Sequence, residues 1–257
     1  MTRVLRLTWV GWLLNMKSLT RSGLFIFTSV IEPLIFATLT YYLFRAGHKP
    51  GTLLYASLSA GLMGIWTSTL FGSGGVISWQ RWQGTLEPTV ASPPPLMLVL
   101  FPLTLATASI GLYSLTATLL WGRFVFGIPL HLAHPLTFVL AVPLMILNFG
   151  VLGLVIGGSF ILYRNANALA NMLEFPVWFV TGALVPLSLL PGWVHPLSWI
   201  LSPTWGFRAV RAAALGGDAW PALGMCVVLG VAYAFVASYL IRLFEFRARV
   251  RATLSLT

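Results

Sequence analysis

The chain holds five Asp and Glu residues, four His and one Cys, so few groups could carry proton transfer, metal binding or nucleophilic attack. Glu32 is the acid set deepest in an apolar run, in VIEPLIF, with Pro33 directly after it. A carboxylate in hydrocarbon is costly and by default functional, facing a bundle interior or water. The competing reading is a protonated or paired acid that helps accommodate the Pro33 kink. Both readings stay open. Asn148 lies in another apolar run, as interhelical glue or as a ligand group. Glu32 and Asn148 are the two candidates for a path through the membrane. His131 and His134 share a loop without the third or fourth ligand that zinc requires. Cys226 stands alone, which excludes an intrachain disulfide and a multi-Cys metal site. The asparagines of YRNANALANMLE, Tyr163 to Glu174, read as caps of the following helix. No G-x-S-x-G occurs, and no His, Ser and acid set converges at one depth as a membrane enzyme would need. The only lysines, Lys17 and Lys49, do not follow a glycine, so the chain has no phosphate-binding loop with which to hydrolyse ATP.

The elements that position these residues follow from composition. Of 257 residues, 58% are hydrophobic and only 8% charged, where a soluble domain carries roughly a quarter charged. Lipid must be the solvent for this much apolar surface. The expected fold is all-α and membrane-embedded. A segment of about 20 apolar residues spans the hydrocarbon as a helix, and six fit: Leu24–Phe44, Leu53–Ile77, Met97–Trp121, Leu136–Leu162, Leu173–Leu190 and Ala222–Phe244. Residues 1–22 read as an interfacial helix with Leu5, Trp9, Trp12 and Met16 at helical spacing, 24–244 as one six-span domain, and 245–257 as a basic tail. Pro191, Pro196 and Pro203 break the apolar stretch after the fifth span. It is expected to form a re-entrant or interfacial excursion ending in a short helix from Thr204 to Leu215. The Gly-rich FGSGGV, Phe71 to Val76, sits inside a span, where small residues allow close helix packing.

The net charge of +10 belongs to orientation in a membrane and not to nucleic acid, because the cations flank the apolar runs. Arg3, Arg6, Lys17, Arg21, Arg81, Arg164, Arg242, Arg247, Arg249 and Arg251 fall on one side; Arg45, Lys49, Arg123, Arg208 and Arg211 fall on the other. The excess places both termini in the cytoplasm. No cleavable signal peptide is expected, the first membrane helix serving for insertion.

Between the second and third spans lies WQRWQGTLEPTVASPPP, Trp79 to Pro95. Trp79, Trp82 and Leu86 fall at i, i+3 and i+7, which predicts a short amphipathic helix on the cytoplasmic face. Pro93, Pro94 and Pro95 stop it and return the chain stiffly to the membrane. Arg81 and Glu87 are left for polar contacts. Such a segment suits the transmission of force from a partner.

Here the sequence resembles the permease subunits of ABC-2 type transporters, which include drug, antibiotic, polysaccharide and polyol-lipid exporters. Members carry a stretch like E-R-E-x-G-T-L-E-x-L-x-x-S-P after the second span. This chain has Gln80, Arg81, Trp82, Gln83, Gly84, Thr85, Leu86 and Glu87, then Ser92 and Pro93; Gln80 and Trp82 stand where the pattern has acids. A second stretch, Thr181 to Ala213, looks like the family's fifth-span signature, on Gly182, Pro186, Pro191, Trp193, Pro203, Trp205 and Arg211. The resemblance implies a dimer of six-span subunits, with an identical copy or a paralogue as second permease. Each subunit would dock on a separate ABC ATPase through a coupling helix at Trp79–Glu87. No cofactor belongs to this chain; ATP and Mg would be held by that partner. It also implies short re-entrant helices between spans five and six on the outer side. The function expected is export across the cell's inner (plasma) membrane of a hydrophobic or amphipathic compound, a drug, antibiotic or lipid. The alternative cargo is a lipid-linked polysaccharide or glycolipid. A membrane enzyme lacks its residue set, and a secondary transporter would show repeats and several intramembrane ionisable groups.

Overall fold

In hydrocarbon each backbone N–H and C=O must find its partner within the chain, so apolar runs close into helices. A computed structural model of the protein describes residues 3–46, 53–84, 88–89, 95–162 and 166–251. Its elements are α1 (Arg3–Arg21), α2 (Gly23–Ala46), α3 (Leu53–Trp82), α4 (Leu96–Phe124), α5 (Pro135–Leu162), α6 (Ala166–Val180), a 3-10 turn (Leu187–Leu189), α7 (Val194–Ile200), α8 (Ser202–Leu215) and α9 (Trp220–Arg251). The described residues contain no strand, and the protein is an all-α membrane protein. Among the described residues, four helices are both long and apolar enough to cross, over Leu53–Gly75, Leu96–Phe124, Pro135–Gly158 and Trp220–Leu243. Helix α2 has 24 residues, about 36 Å at 1.5 Å per residue, against a hydrocarbon core of about 30 Å.

The expected fifth span does not form as a run from Leu173 to Leu190. Helix α6 starts earlier and stops at Val180, after 15 residues, which gives only about 22 Å. The chain then reverses. Gly182 takes φ +73°, a left-handed conformation that glycine adopts without penalty. The N–H groups of Ala183 and Leu184 close back on the Trp178 carbonyl at 2.9 and 3.3 Å, and Thr181 N–H bonds Val177. These bonds satisfy the last carbonyls of α6 as a helix C-cap does. The excursion behind it holds two helices, α7 and α8, of which α8 matches the expected Thr204–Leu215 helix with two more residues at its start. At the other end, α9 runs through Arg251, so the helix enters the segment expected to be a tail. Asn165, one of the expected caps of α6, lies outside the described residues, as do the side chains of Asn167 and Asn171.

Helix α3 is the hub. It packs against α2, α4, α5, α6 and α8, and 78% of its spanning window is buried against 17% for α9. The α3–α4 seam is built from small residues. A Cβ on Gly61 would stand 2.7 Å from Leu115 Cα, and one on Gly111 only 2.6 Å from Ile65 Cα. A Cβ on Gly72 would meet the Thr107 side chain at 2.5 Å. Within the Gly-rich Phe71–Val76 run, Gly72 serves close packing and Gly75 does not, a Cβ there meeting nothing within 4 Å; such packing gives van der Waals contact where lipid offers no hydrophobic drive between helices. The α1 stripe is only partly outward: Leu5 and Trp9 are exposed, but Trp12 Nε1 donates to Ser109 Oγ at 3.1 Å and Gly11 abuts Pro102. Helix α1 is seated on α4.

Pro33 interrupts α2 and has no N–H for the Ser29 carbonyl one turn back. Ser114 of α4 supplies the missing donor, its hydroxyl bonding the Ser29 oxygen. Gly64 sits at the same junction, where a Cβ would stand 2.7 Å from Pro33 Cγ. The kink is thus accommodated by α3 and α4. We expect Ser114→Ala to lower stability by about 1 kcal/mol through the orphaned carbonyl. The same change should cost little in a Pro33→Ala background, where the ladder bond is restored. Thermal unfolding of the four proteins in nanodiscs as a double-mutant cycle checks the coupling; additive costs would show that Ser114 acts elsewhere.

Candidate functional site

Three groups of residues bear on function, at the Trp82 end of α3, behind α6, and between α2, α3 and α6. At the first, Trp79 to Trp82, the described start of the expected amphipathic helix, belong to α3 itself. Trp79, Gln80, Arg81 and Trp82 form the last turn of that helix. Trp82 is 78% exposed, and Gly84, also exposed, turns the chain at φ +69°. Thr85, Leu86 and Glu87 lie outside the described residues. A continuous helix has no joint between its buried core segment and its exposed end, so displacement of that end moves the hub.

Behind α6, the tertiary structure gathers the fifth-span motif around one arginine. Arg211 projects from α8 and is only 9% exposed. Its Nη1 donates to the Gly182 carbonyl at 2.6 Å, and its Nη2 to the Ala183 carbonyl at 2.7 Å and to Ser59 Oγ at 2.8 Å. The guanidinium lies 4.3 Å from the ring centroid of Tyr55, within cation–π range. Arg211 therefore fastens α8 to the chain reversal and to α3. Pro186 opens the 3-10 turn, Pro203 sits in the first turn of α8, and Val194 N–H bonds the Pro191 carbonyl at 3.0 Å. Trp205 is buried, donates from Nε1 to the Trp199 carbonyl at 2.9 Å, and so holds α7 to α8. Trp193 is exposed, away from this network. Tyr55 and Ser59 were not singled out from the sequence; their i, i+4 spacing on α3 is the signal that puts both on one face.

Between α2, α3 and α6, Glu32 is half-buried in a narrow crevice lined also by Pro33, Phe36, Met63, Gly64, Thr67 and Trp178. Thr67 donates to Glu174 Oε1 at 2.8 Å. Glu174, read from sequence as the end of a polar turn, is on α6 and only 6% exposed. The two carboxyl groups lie within electrostatic range of each other. The turn beginning at Ala166, earlier than expected, carries Glu174 into the bundle, which no local pattern reveals. Asn148 stands apart from this cleft. Its Oδ1 accepts from Ser202 Oγ at 2.9 Å, its Nδ2 donates to the Leu144 carbonyl, and Gly230 of α9 packs against its amide. That is the interhelical glue of the two readings, joining α5, α8 and α9.

The fold is that of a multi-pass membrane protein. Residues 6–215, most of the chain, match the ABC-2 type transporter family, and the protein belongs to that family. It is accordingly the transmembrane permease component of an ABC-type transporter, not itself the catalytic subunit. A search of curated proteins returned no match.

Proposed function

We propose that this permease exports a hydrophobic or amphipathic compound, driven by a separate ABC ATPase that holds ATP and Mg. A second permease, identical or a paralogue, would complete the pathway, and both termini would lie in the cytoplasm at the plasma membrane. The observation that carries the reading is the continuity of α3, which runs from the packed hub to the exposed Trp82 without a break. ATP-driven closure of the partner against Trp79–Glu87 would tilt α3 and, through its close seam with α4, repack the bundle. The apolar spans offer amphipathic cargo roughly 25 cal/mol per Å² of buried surface and offer little to a strongly hydrated sugar.

The test is reconstitution with the ATPase in vesicles of known orientation, scored on a panel of amphiphiles and a lipid-linked glycan. Export of amphiphiles away from the ATPase side is expected. Movement toward that side overturns the direction, and transport of the glycan alone overturns the cargo. ATP hydrolysis by the purified permease alone would overturn the division of labour. Glu87→Ala and Trp82→Ala should each reduce cargo-stimulated ATPase several-fold while leaving membrane insertion intact, as judged by yield and size-exclusion profile. Unchanged coupling in both variants would remove the coupling role from this segment.

A further inference from the structure

Helix α1 carries no acid; the first in the chain is Glu32. Its seat is α4, where Trp12 bonds Ser109 and Gly11 abuts Pro102. At about 100° per residue, Arg6, Lys17 and Arg21 fall within about 60° of one another, opposite the side that Gly11 and Trp12 turn to α4. All three are exposed. Exposed apolar residues flank this stripe, Leu7 and Leu14 along one edge, Leu5 and Trp9 along the other. Trp9 leans on Trp12 with ring centroids 5.0 Å apart, so the exposed indole is braced by the one bound to α4. The chain has little with which to neutralise the stripe. Of its five acids, Glu87 and the side chain of Glu245 lie outside the described residues. Glu32 lines the crevice beside Pro33, Glu174 accepts from Thr67, and Asp218 accepts the Trp220 N–H at the start of α9. Among the described residues no acid forms an ion pair with Arg6, Lys17 or Arg21.

We propose that α1 is a docking surface for anionic phospholipid: Arg6, Lys17 and Arg21 hold the phosphate-bearing head groups, and the apolar flanks lie against the acyl chains beside them. Charge and placement both select lipid. The three cations point away from the bundle, where a membrane protein meets its lipid. A basic helix with Trp and Leu beside its charges binds the interface by apolar burial and by attraction to anionic head groups. A neutral bilayer supplies only the first of these. The long Lys and Arg stems carry the charge to head-group level while their methylenes stay on apolar surface. An acidic protein face would meet the stripe but would also have to cover apolar edges on both sides of it. An anionic lipid, with head group and chains in one molecule, matches stripe and edge together. Because α1 sits on α4, which shares a close seam with the hub α3, bound lipid braces the bundle from outside. Neither cargo nor transport direction enters this recognition, so it stands or falls apart from the export reading.

The experiment measures lipid selectivity beside α1 with the full chain in phosphatidylcholine nanodiscs. Ser18 is exposed on α1, one turn from both Leu14 and Arg21, and the Ser18→Cys variant takes a bimane there while the buried Cys226 stays unlabelled. Phosphatidylglycerol or phosphatidylcholine carrying a nitroxide high on one acyl chain is the quencher, at equal mole fraction and low salt. Phosphatidylglycerol should quench with an apparent association about fivefold higher or more, since one cation near an anionic surface is worth about that factor. High salt should remove most of the difference. Arg6→Gln, Lys17→Gln and Arg21→Gln together should bring the two lipids to within about twofold of each other. Arg123→Gln, in the last turn of α4 and far from Pro102, should leave the preference unchanged. Equal quenching by the two lipids with all cations in place overturns the proposal, and this arm needs no charge variant to fold. A preference kept by the folded triple variant, or lost as fully in Arg123→Gln, overturns it as well. No lipid preference, combined with loss of ATPase association in the triple variant, would overturn it and assign the stripe to a protein partner.

Discussion

Replacing Arg211 by Ala should lower the stability of the folded permease by about 1–3 kcal/mol, because one buried backbone carbonyl loses its donor and a second keeps only the Tyr55 hydroxyl at 3.5 Å. The carbonyls are those of Gly182 and Ala183, in the turn where α6 ends. Hydrogen bonds within the turn close α6 itself, so the helix should survive. What is lost is its attachment to α8 and α3. Arg211→Lys should fall between, since an ammonium keeps the charge but cannot reproduce a planar fork that reaches the two carbonyls and Ser59 together. The thermal midpoint in nanodiscs and protease sensitivity of residues 181–193 would both report the change. Arg211→Ala with an unaltered midpoint would show that the turn holds without its clamp. Transport should suffer more than stability alone predicts, because the same clamp fastens α8 and the end of α6 to the hub helix α3.

The second large effect is expected at Gly111. A Cβ there would stand 2.6 Å from Ile65 Cα, which is backbone and cannot rotate aside. Gly111→Leu must therefore separate α3 from α4 or displace the turn around Ile65. Overpacking of this kind costs about 1–3 kcal/mol and occasionally more; a backbone obstacle puts this site at about 3 kcal/mol or above. Gly224→Ala on α9 is the control, since nothing stands within 4 Å of its Cβ, and it should be neutral or slightly stabilising by helix propensity. Equal midpoints for Gly111→Leu and Gly224→Ala would mean that the α3–α4 seam yields freely. In the reconstituted complex, Gly111→Leu should also uncouple ATP hydrolysis from export, because the proposed motion of α3 would reach the bundle through this seam.

How much was legible beforehand differs from element to element. The expected spans at Leu53–Ile77, Met97–Trp121, Leu136–Leu162 and Ala222–Phe244 were visible because each is a local property: a run of apolar residues long enough to cross must be helical in lipid. The importance of Gly182 and Arg211 was visible only as a family pattern. Their shared role was not, since they are far apart in sequence and the bond between them exists only after α8 folds back beneath α6. Glu32 stood out because an acid inside an apolar run is locally anomalous. Glu174 did not, because it follows a polar stretch, and its burial depends on α6 starting at Ala166 and leaning on α3.

By itself, the amino-acid sequence determined that this chain is helical, membrane-embedded and a permease of the ABC-2 type, because hydropathy, charge placement and the two motif stretches are written residue by residue. Only the tertiary structure decided where the fifth apolar run turns back, that Trp79 to Trp82 continue α3, that Asn148 bonds Ser202, and that Thr67 holds Glu174 within electrostatic range of Glu32. These outcomes depend on contacts between segments remote in the chain. In lipid such contacts rest on van der Waals fit and a few interhelical hydrogen bonds, which depend on how whole helices dock and leave no periodic trace in any one of them.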